Sequence, residues 1–174
     1  EVFAILIRRA ELSTSAEEQA QLRHEAAFVS KTQLHDTDRA IELYRELLDA
    51  SSGGVGDEVA ARELRDLYSG AGRHEGLSDL LTRLIDNARS AADRGKLRIE
   101  LAHLQQTDLK RPEDAIDTLR AVIEEDSSNA EAVSRLGELY QSLGRNEELA
   151  ELLTGQIDRA ASASDLATEL SLRV

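Results

Sequence analysis

Apolar residues recur at every third or fourth position through nearly the whole chain, the period of a helix with one buried face. Residues 1–13 put Phe3, Leu6, Ile7 and Ala10 on one such face. Over 37–50 the stripe is Ala40, Ile41, Tyr44, Leu47 and Leu48, and over 112–126 it is Ala115, Ile116, Leu119, Val122 and Ile123. Between the stripes lie short polar turns with helix-start and helix-stop residues. Asp36 can accept the free N–H groups of a first turn, and Pro112 has its φ preset where no N–H is needed. Gly72 and Gly144 follow the last periodic residues of their segments, as a left-handed cap requires. The predicted helices cover 1–13, 16–34, 37–50, a segment ending at Tyr68, one after Gly72-Arg73, a segment through 96–109, 112–126, one ending at Tyr140, one after Gly144-Arg145, and one begun at 163. That is about ten helices in antiparallel pairs. With one proline, ten glycines and few β-branched runs, strands have almost no support.

The stripes repeat at long range. Residues 57–85 align with 129–157 at an offset of 72, pairing Leu64 with Leu136, Leu67 with Leu139, Tyr68 with Tyr140, Gly72 with Gly144, Leu77 with Leu149, Leu81 with Leu153 and Ile85 with Ile157. Residues 22–41 align with 97–116 at an offset of 75, through Leu22/Leu97, Ala27/Ala102, Leu34/Leu109 and Ile41/Ile116. The offset changes because the loop Ser51-Ser52-Gly53-Gly54-Val55-Gly56 is three residues longer than its counterpart around Ser127-Ser128-Asn129. Lengthening a loop by a few residues costs well under about 1 kcal/mol, so the phase survives. Self-similarity at a fixed long period predicts an all-α fold, an α-α superhelix (solenoid) of stacked helix pairs. No linker or domain boundary interrupts it, and residues 1–174 read as a single repeat array. The chain starts at Glu1 and both ends fall in mid-repeat, so the expectation is a fragment of a longer protein.

Composition narrows the possibilities. Hydrophobic residues are 41% of the chain but aromatics only 3%, so the core must be built from Leu, Ile, Val and Ala. Thirty-four acidic residues against 21 basic ones leave a formal net charge of −13, which repels phosphate backbones and argues against nucleic acid or an anionic membrane surface. Much of that charge solvates outer helix faces; as recognition chemistry it favours a basic or apolar protein or peptide. No apolar run approaches the ~18 residues of a membrane span, so membrane insertion is not expected. Localisation stays open, the cytoplasm being favoured over the periplasm.

No residue constellation points to catalysis. With no cysteine there is no thiolate metal site, disulfide or cysteine nucleophile. His24, His35, His74 and His103 form no H-x-x-x-H pair, and no Glu-x-x-His helix of the di-iron kind occurs. Asp36-Thr37-Asp38 lacks the glycine and distal Glu of a calcium loop and is better explained by capping. Gly53-Gly54-Val55-Gly56 follows no strand and precedes no Lys-Ser/Thr, so it does not read as a phosphate loop. Adjacent acids such as Glu124-Glu125 and Glu147-Glu148 point to different parts of a helix surface. The expectation is a non-enzyme with no cofactor and no metal.

Residues 136–140, LGELY, resemble the tetratricopeptide repeat (TPR), whose helix-turn-helix unit carries a Leu-Gly-x-x-Tyr motif and a glycine turn. Leu136, Gly137, Tyr140 and Gly144 fall on those positions, as do Leu64, Tyr68 and Gly72, with Arg65 in place of the small residue. Ala40-x3-Tyr44-x2-Leu47 and Ala115-x3-Leu119-x2-Val122 resemble the second helix. The repeats are degenerate: Val133 or Ala61 stands at the Trp position, Leu77 or Leu149 at the second-helix Ala, and Ser52 or Ser127 at the closing Pro. Their alternation looks like the paired repeats of large bacterial scaffold proteins.

The resemblance implies a groove lined by first helices and used to bind protein. Its groove-facing positions would be Arg62, Asp66 and Ser69 in one repeat, Ser134, Glu138 and Gln141 in another, and His24, Phe28, Ile99 and His103 in the other pair. Asp66 and Glu138 stand where carboxylate-clamping repeats use Asn, so a C-terminal carboxylate is not the expected ligand. A peptide or helix bearing Arg or Lys, or an apolar helix, fits better. Phe28 is either an exposed aromatic hot spot or a core residue whose counterpart is His103. The alternative function is a structural spacer that associates end to end with other copies.

Overall fold

The structure, a computed structural model, describes the backbone of residues 1–50 and 55–172, with side chains for these except 55–57, 160 and 163–172. Among the described residues there are nine helices and no strand: α1 (Val2–Leu12), α2 (Ala16–Thr32), α3 (Thr37–Ala50), α4 (Val55–Gly70), α5 (His74–Asp86), α6 (Ala91–Thr107), α7 (Pro112–Glu125), α8 (Ala130–Ser142) and α9 (Asn146–Leu172). The all-α class and the succession of helix pairs are as the periodicity predicts. Of the glycine-rich loop 51–56, residues 51–54 lie outside the described residues, and Val55 already begins α4.

The helix boundaries follow from local chemistry. Ser15 Oγ accepts from Glu18 N–H (3.3 Å) to start α2, and Ser90 Oγ accepts from Asp93 N–H (3.0 Å) to start α6. Asp36 Oδ1 accepts from Arg39 N–H at the head of α3, and Pro112 occupies the first turn of α7. Gly72 and Gly144 adopt φ of +64° and +69°, and the amides of Arg73 and Arg145 donate back to the carbonyls of Tyr68 and Tyr140 (2.8 and 2.9 Å). These are left-handed caps that satisfy the last carbonyls of α4 and α8.

One boundary differs from the periodicity. The sequence predicts a helix through Ile157 and a new one from 163, whereas α9 is a continuous helix of 27 residues. At the matching point after α5, Asn87-Ala88-Arg89 separates the helices and Ser90 caps α6. In Arg159-Ala160-Ala161 the two outer residues are stronger helix formers, Arg159 for Asn87 and Ala161 for Arg89. Ser162 Oγ then donates to the Asp158 carbonyl (2.9 Å), as a serine inside a helix does, and caps nothing.

The chain divides into two compact units, residues 1–84 and 85–174, with the division inside the last turn of α5. In unit 1, α1, α2, α3 and α4 pack in succession around Leu6, Leu22, Ile41, Leu43, Leu47 and Leu64. Small Ala26, Ala27, Ala40 and Ala60 are fully buried. Tyr68 presses so closely on Gly76 of α5 that an added Cβ there would sit 2.7 Å from its ring. In unit 2, α6 to α9 pack in succession around a cluster of Ile99, Ala102, Ala115, Ile116, Leu119, Val122, Ala132, Leu136, Leu139 and Tyr140. The Arg94 and Arg98 guanidiniums join α6 to the end of α7 through Glu125, and the Arg94 hydrogen bond is the main reason that carboxyl is lowered to about 2.

Among the aligned positions at which the two cores differ, one pair is polar and aromatic in unit 1. Where unit 2 has Ile99 and Leu119, unit 1 has His24 and Tyr44, whose rings meet edge to face at 5.6 Å. Tyr44 is 0% exposed, and neither its hydroxyl nor His24 Nε2 has a hydrogen-bond partner. Burial above all, with the nearby Glu63 carboxylate adding to it and Arg62 opposing, pushes the Tyr44 hydroxyl up to about 12. An unsatisfied buried polar group costs about 1–3 kcal/mol, so unit 1 carries a polar defect where unit 2 has Ile99 and Leu119.

Two outcomes follow for stability. Tyr44→Phe is expected to gain about 1 kcal/mol in urea unfolding by removing the orphan hydroxyl. Because the folded-state value is raised, the tyrosine's own contribution is present below its ordinary 10.0 and lost as pH climbs toward about 12, so the variant should lose less stability across that window. Glu125 has the opposite sign: its lowered value contributes stability above the ordinary 4.5 that disappears as pH falls toward about 2. The stability gap between the parent and Glu125→Gln should therefore close over that interval in acid-unfolding curves.

Candidate functional site

Each first helix of a pair shows solvent one line of side chains spaced three or four residues apart. On α2 the exposed line is Gln21, Glu25, Phe28 and Thr32; on α4 it is Glu58, Arg62, Asp66 and Ser69. Such spacing is what one face of a helix presents. Lys31 Nζ donates to Glu63 Oε2 (2.7 Å) and ties the two helices together, with Arg62 Nη2 3.7 Å from the other Glu63 oxygen. The face of unit 1 is thus two parallel lines cross-linked by one ion pair. Phe28, 53% exposed, lies one turn before Lys31.

Below this face sits the His24–Tyr44 pair. His24 is half-buried, with its ring between the surface line of α2 and Tyr44 of α3. The Glu63 carboxylate of the cross-link raises the Tyr44 hydroxyl and Arg62 opposes it, both after burial itself.

In unit 2 the corresponding lines are Lys96, His103 and Gln106 on α6 and Glu131, Ser134, Glu138 and Gln141 on α8. Ser134 Oγ donates to Glu138 Oε1 (3.2 Å), and Arg135 holds Glu131 one turn away (2.9 Å). Lys31 aligns with the neutral Gln106 on α6, so its cross-link to the next first helix has no counterpart at that position. This face is polar and lacks an aromatic residue.

The positions read from the sequence therefore separate into three groups. Arg62, Asp66 and Ser69 are exposed together on α4, Ser134, Glu138 and Gln141 together on α8, and Phe28 and His103 on α2 and α6. His24 lies at the boundary between surface and core. Ile99 is a correction: it is buried in the unit 2 cluster against α7 and α8, since its direction on α6 is that of Ala102 rather than that of His103. His24 holds the aligned position, which explains why it too is turned inward. Lys31, Glu63 and the Tyr44 hydroxyl were missed by sequence reasoning. Their signal lay in the alignment at 75, where His24/Tyr44 stands opposite Ile99/Leu119 and Lys31 opposite Gln106.

Among the described residues no three His, Asp or Glu side chains converge as a metal site would need, and no helix is long and apolar enough to cross a membrane. The chemistry these faces offer is apolar contact at Phe28 flanked by fixed charges.

No family model and no curated protein matches the sequence. Among solved structures the chain is similar to MamA AMB-1 P212121, at 16% identity and a TM-score of 0.52, over 90% of this chain and 83% of that one. It also aligns with MamA MSR-1 C2 (14% identity, TM-score 0.49, 91% and 88% covered). A further alignment is with YrrB, a TPR protein with an unusual peptide-binding site (18% identity, TM-score 0.49, 88% and 72% covered). The first of these likenesses, with the helix pairs and glycine caps described above, makes the fold TPR-like.

Proposed function

We propose that the chain is a non-enzymatic protein-interaction scaffold whose first-helix faces, α2 with α4 and α6 with α8, hold a peptide or a helix of a partner. The observation that carries this reading is Phe28: a large apolar ring, more than half exposed, on a face whose neighbouring lysine is held by Glu63. Aromatic side chains in such positions supply a large share of binding energy because they bury much area at little entropic cost. Beside it Glu25, Glu58 and Asp66 are exposed, while Lys31 is already neutralised, so an apolar helix with basic flanks is the complementary ligand. Burying the ring against such a helix removes water from both without stranding a charge.

A second reading has its own support. Leu153 and Ile157 of α9 are 51% and 67% exposed, whereas their aligned residues Leu81 and Ile85 are 0% and 8% exposed. A spacer that associates with further copies would cover such a stripe. Light scattering separates the two readings, since self-association predicts a mass that rises with concentration and falls back in Ile157→Asp.

For the scaffold reading, the chain should select amphipathic peptides with basic flanks from a peptide array at micromolar levels. Phe28→Ala should weaken the selected peptide by roughly 30-fold, the loss expected for an aromatic anchor worth about 2 kcal/mol. His103→Ala, at the aligned position in unit 2, should change that binding little. An array that returns no peptide, or a selected peptide indifferent to Phe28, would reject it.

A further inference from the structure

Each unit contains a cleft walled by three successive helices, and the two clefts are built from aligned positions. In unit 1 it lies between α3, α4 and α5, with Leu64 and Tyr68 at its base and Arg45, Asp49, Asp79 and Arg83 around it. In unit 2 it lies between α7, α8 and α9, with Leu136 and Tyr140 at its base and Arg120, Glu124, Glu148 and Glu151 around it. Arg45 aligns with Arg120 and Asp49 with Glu124 at 75; Tyr68 aligns with Tyr140 and Asp79 with Glu151 at 72. The volumes nevertheless differ, about 140 Å³ in unit 1 and about 450 Å³ in unit 2.

Arg83 lines the unit 1 cleft, whereas no described residue of unit 2 fills the aligned place in its lining. The Arg83 guanidinium bonds the Asp49 carboxylate and donates through Nη2 to the Leu48 carbonyl (2.7 Å), lying across the unit 1 cleft. The aligned residue in unit 2 is Gly155, which has no side chain to do this; the nearby Arg159 guanidinium bonds the Ser127 carbonyl beyond the end of α7 instead, leaving Glu124 without a partner among the described residues. The acceptors are retained: Glu124 stands for Asp49, and the Ile123 carbonyl, in the last turn of α7, stands for that of Leu48 in the last turn of α3. Carbonyls at a helix C-terminus lack intrahelical partners and carry partial negative charge, which favours a cation. Charge points the same way. Two arginines face two carboxylates around the unit 1 cleft, whereas in unit 2 one arginine faces Glu124, Glu151 and Glu148, the last of them already bonded by Arg145. Glu124 and Glu151 make no hydrogen bond or ion pair among the described residues.

We propose that the α7/α8/α9 cleft receives the arginine side chain of a partner protein, in the place that the chain's own Arg83 takes in unit 1. The guanidinium fork would bond the Glu124 carboxylate and the Ile123 carbonyl together, a geometry a lysine ammonium does not reproduce. Its methylene stem would lie along Leu152, since Arg120 and Arg145 already stand over the Tyr140 ring. This surface is separate from the first-helix faces, and its occupancy stands or falls independently of theirs.

The test is a titration of the ¹⁵N-labelled full chain with acetyl-Gly-Arg-Gly-amide and with its lysine counterpart. The arginine peptide should shift the amides of Glu124, Tyr140 and Gly155 and saturate in the millimolar range expected of one side chain; the lysine peptide should bind at least about fivefold more weakly. Gly155→Arg should abolish these shifts by supplying the missing side chain. It should also fold, since arginine favours helix over glycine and an added Cβ meets only the tip of Arg159, at 3.5 Å. Arg83→Gly should create a second set of shifts around Asp49 and Tyr68. Equal binding of the two peptides, shifts that persist in Gly155→Arg, or shifts confined to the α6/α8 face would overturn the proposal.

Discussion

The helices of this chain bury apolar faces that none of them can cover alone, and that deficit organises the rest of the structure. An isolated helix of 13 to 17 residues is marginal in water, so its stability must come from burying its stripe on the next helix. Successive packing, α1 to α4 in one unit and α6 to α9 in the other, meets that demand with short turns alone. It also explains the composition. Helices that must lie close along their length need alanine at the points of contact, and Ala26, Ala40, Ala60, Ala102, Ala115 and Ala132 occupy them at little or no exposure. Bulk is kept for leucine and isoleucine between those points.

Because packing uses only the inward stripe, the outward positions are free to diverge, and the two copies show how far. Their cap glycines, tyrosines and core leucines align, as does an interhelical ion pair, Arg73–Asp38 in one and Arg145–Glu113 in the other. Phe28 against His103, Lys31 against Gln106 and Arg83 against Gly155 do not. Each of these changes a surface without disturbing the frame below it. The exception is His24 with Tyr44, which reaches into the frame and leaves two polar atoms unsatisfied there. A core can carry such a defect where apolar burial around it is extensive, and here it joins α3 to the helix that bears Phe28.

The sequence was most legible where chemistry is local. Asp36, Pro112, Gly72 and Gly144 were identifiable as helix ends because the reasons for them, a free N–H, a preset φ and a left-handed residue, involve only near neighbours. His35 and Lys110, aligned non-glycine residues at φ of 52° and 57°, carried no comparable signal, since their backbone is held by the bonds of Asp36 N–H to Ser30 O and Arg111 N–H to Gln105 O. The joining of two expected helices into α9 depended on a balance of propensities at Arg159-Ala160-Ala161, a small energy that periodicity does not register. Ile99 was misplaced for a related reason. A rotation of about 100° per residue separates a groove position from a core position, and a degenerate repeat can be aligned to either.

The sequence by itself determined the helical class, the pairing of helices, the repeat with its three-residue slip and the exposed lines on α4 and α8. All of these rest on periodicity and on backbone chemistry within a few residues. Only the tertiary structure decided which polar groups find partners. Lys31 meets Glu63 and Arg83 meets Asp49 across more than thirty residues, Tyr44 meets no acceptor at all, and the unit 2 cleft has no counterpart of the arginine that lines the one in unit 1. Hydrogen bonds and ion pairs act over a few ångströms in directions that depend on how neighbouring helices are set. Spacing along the chain therefore tells which residues face outward, and packing tells what they meet there.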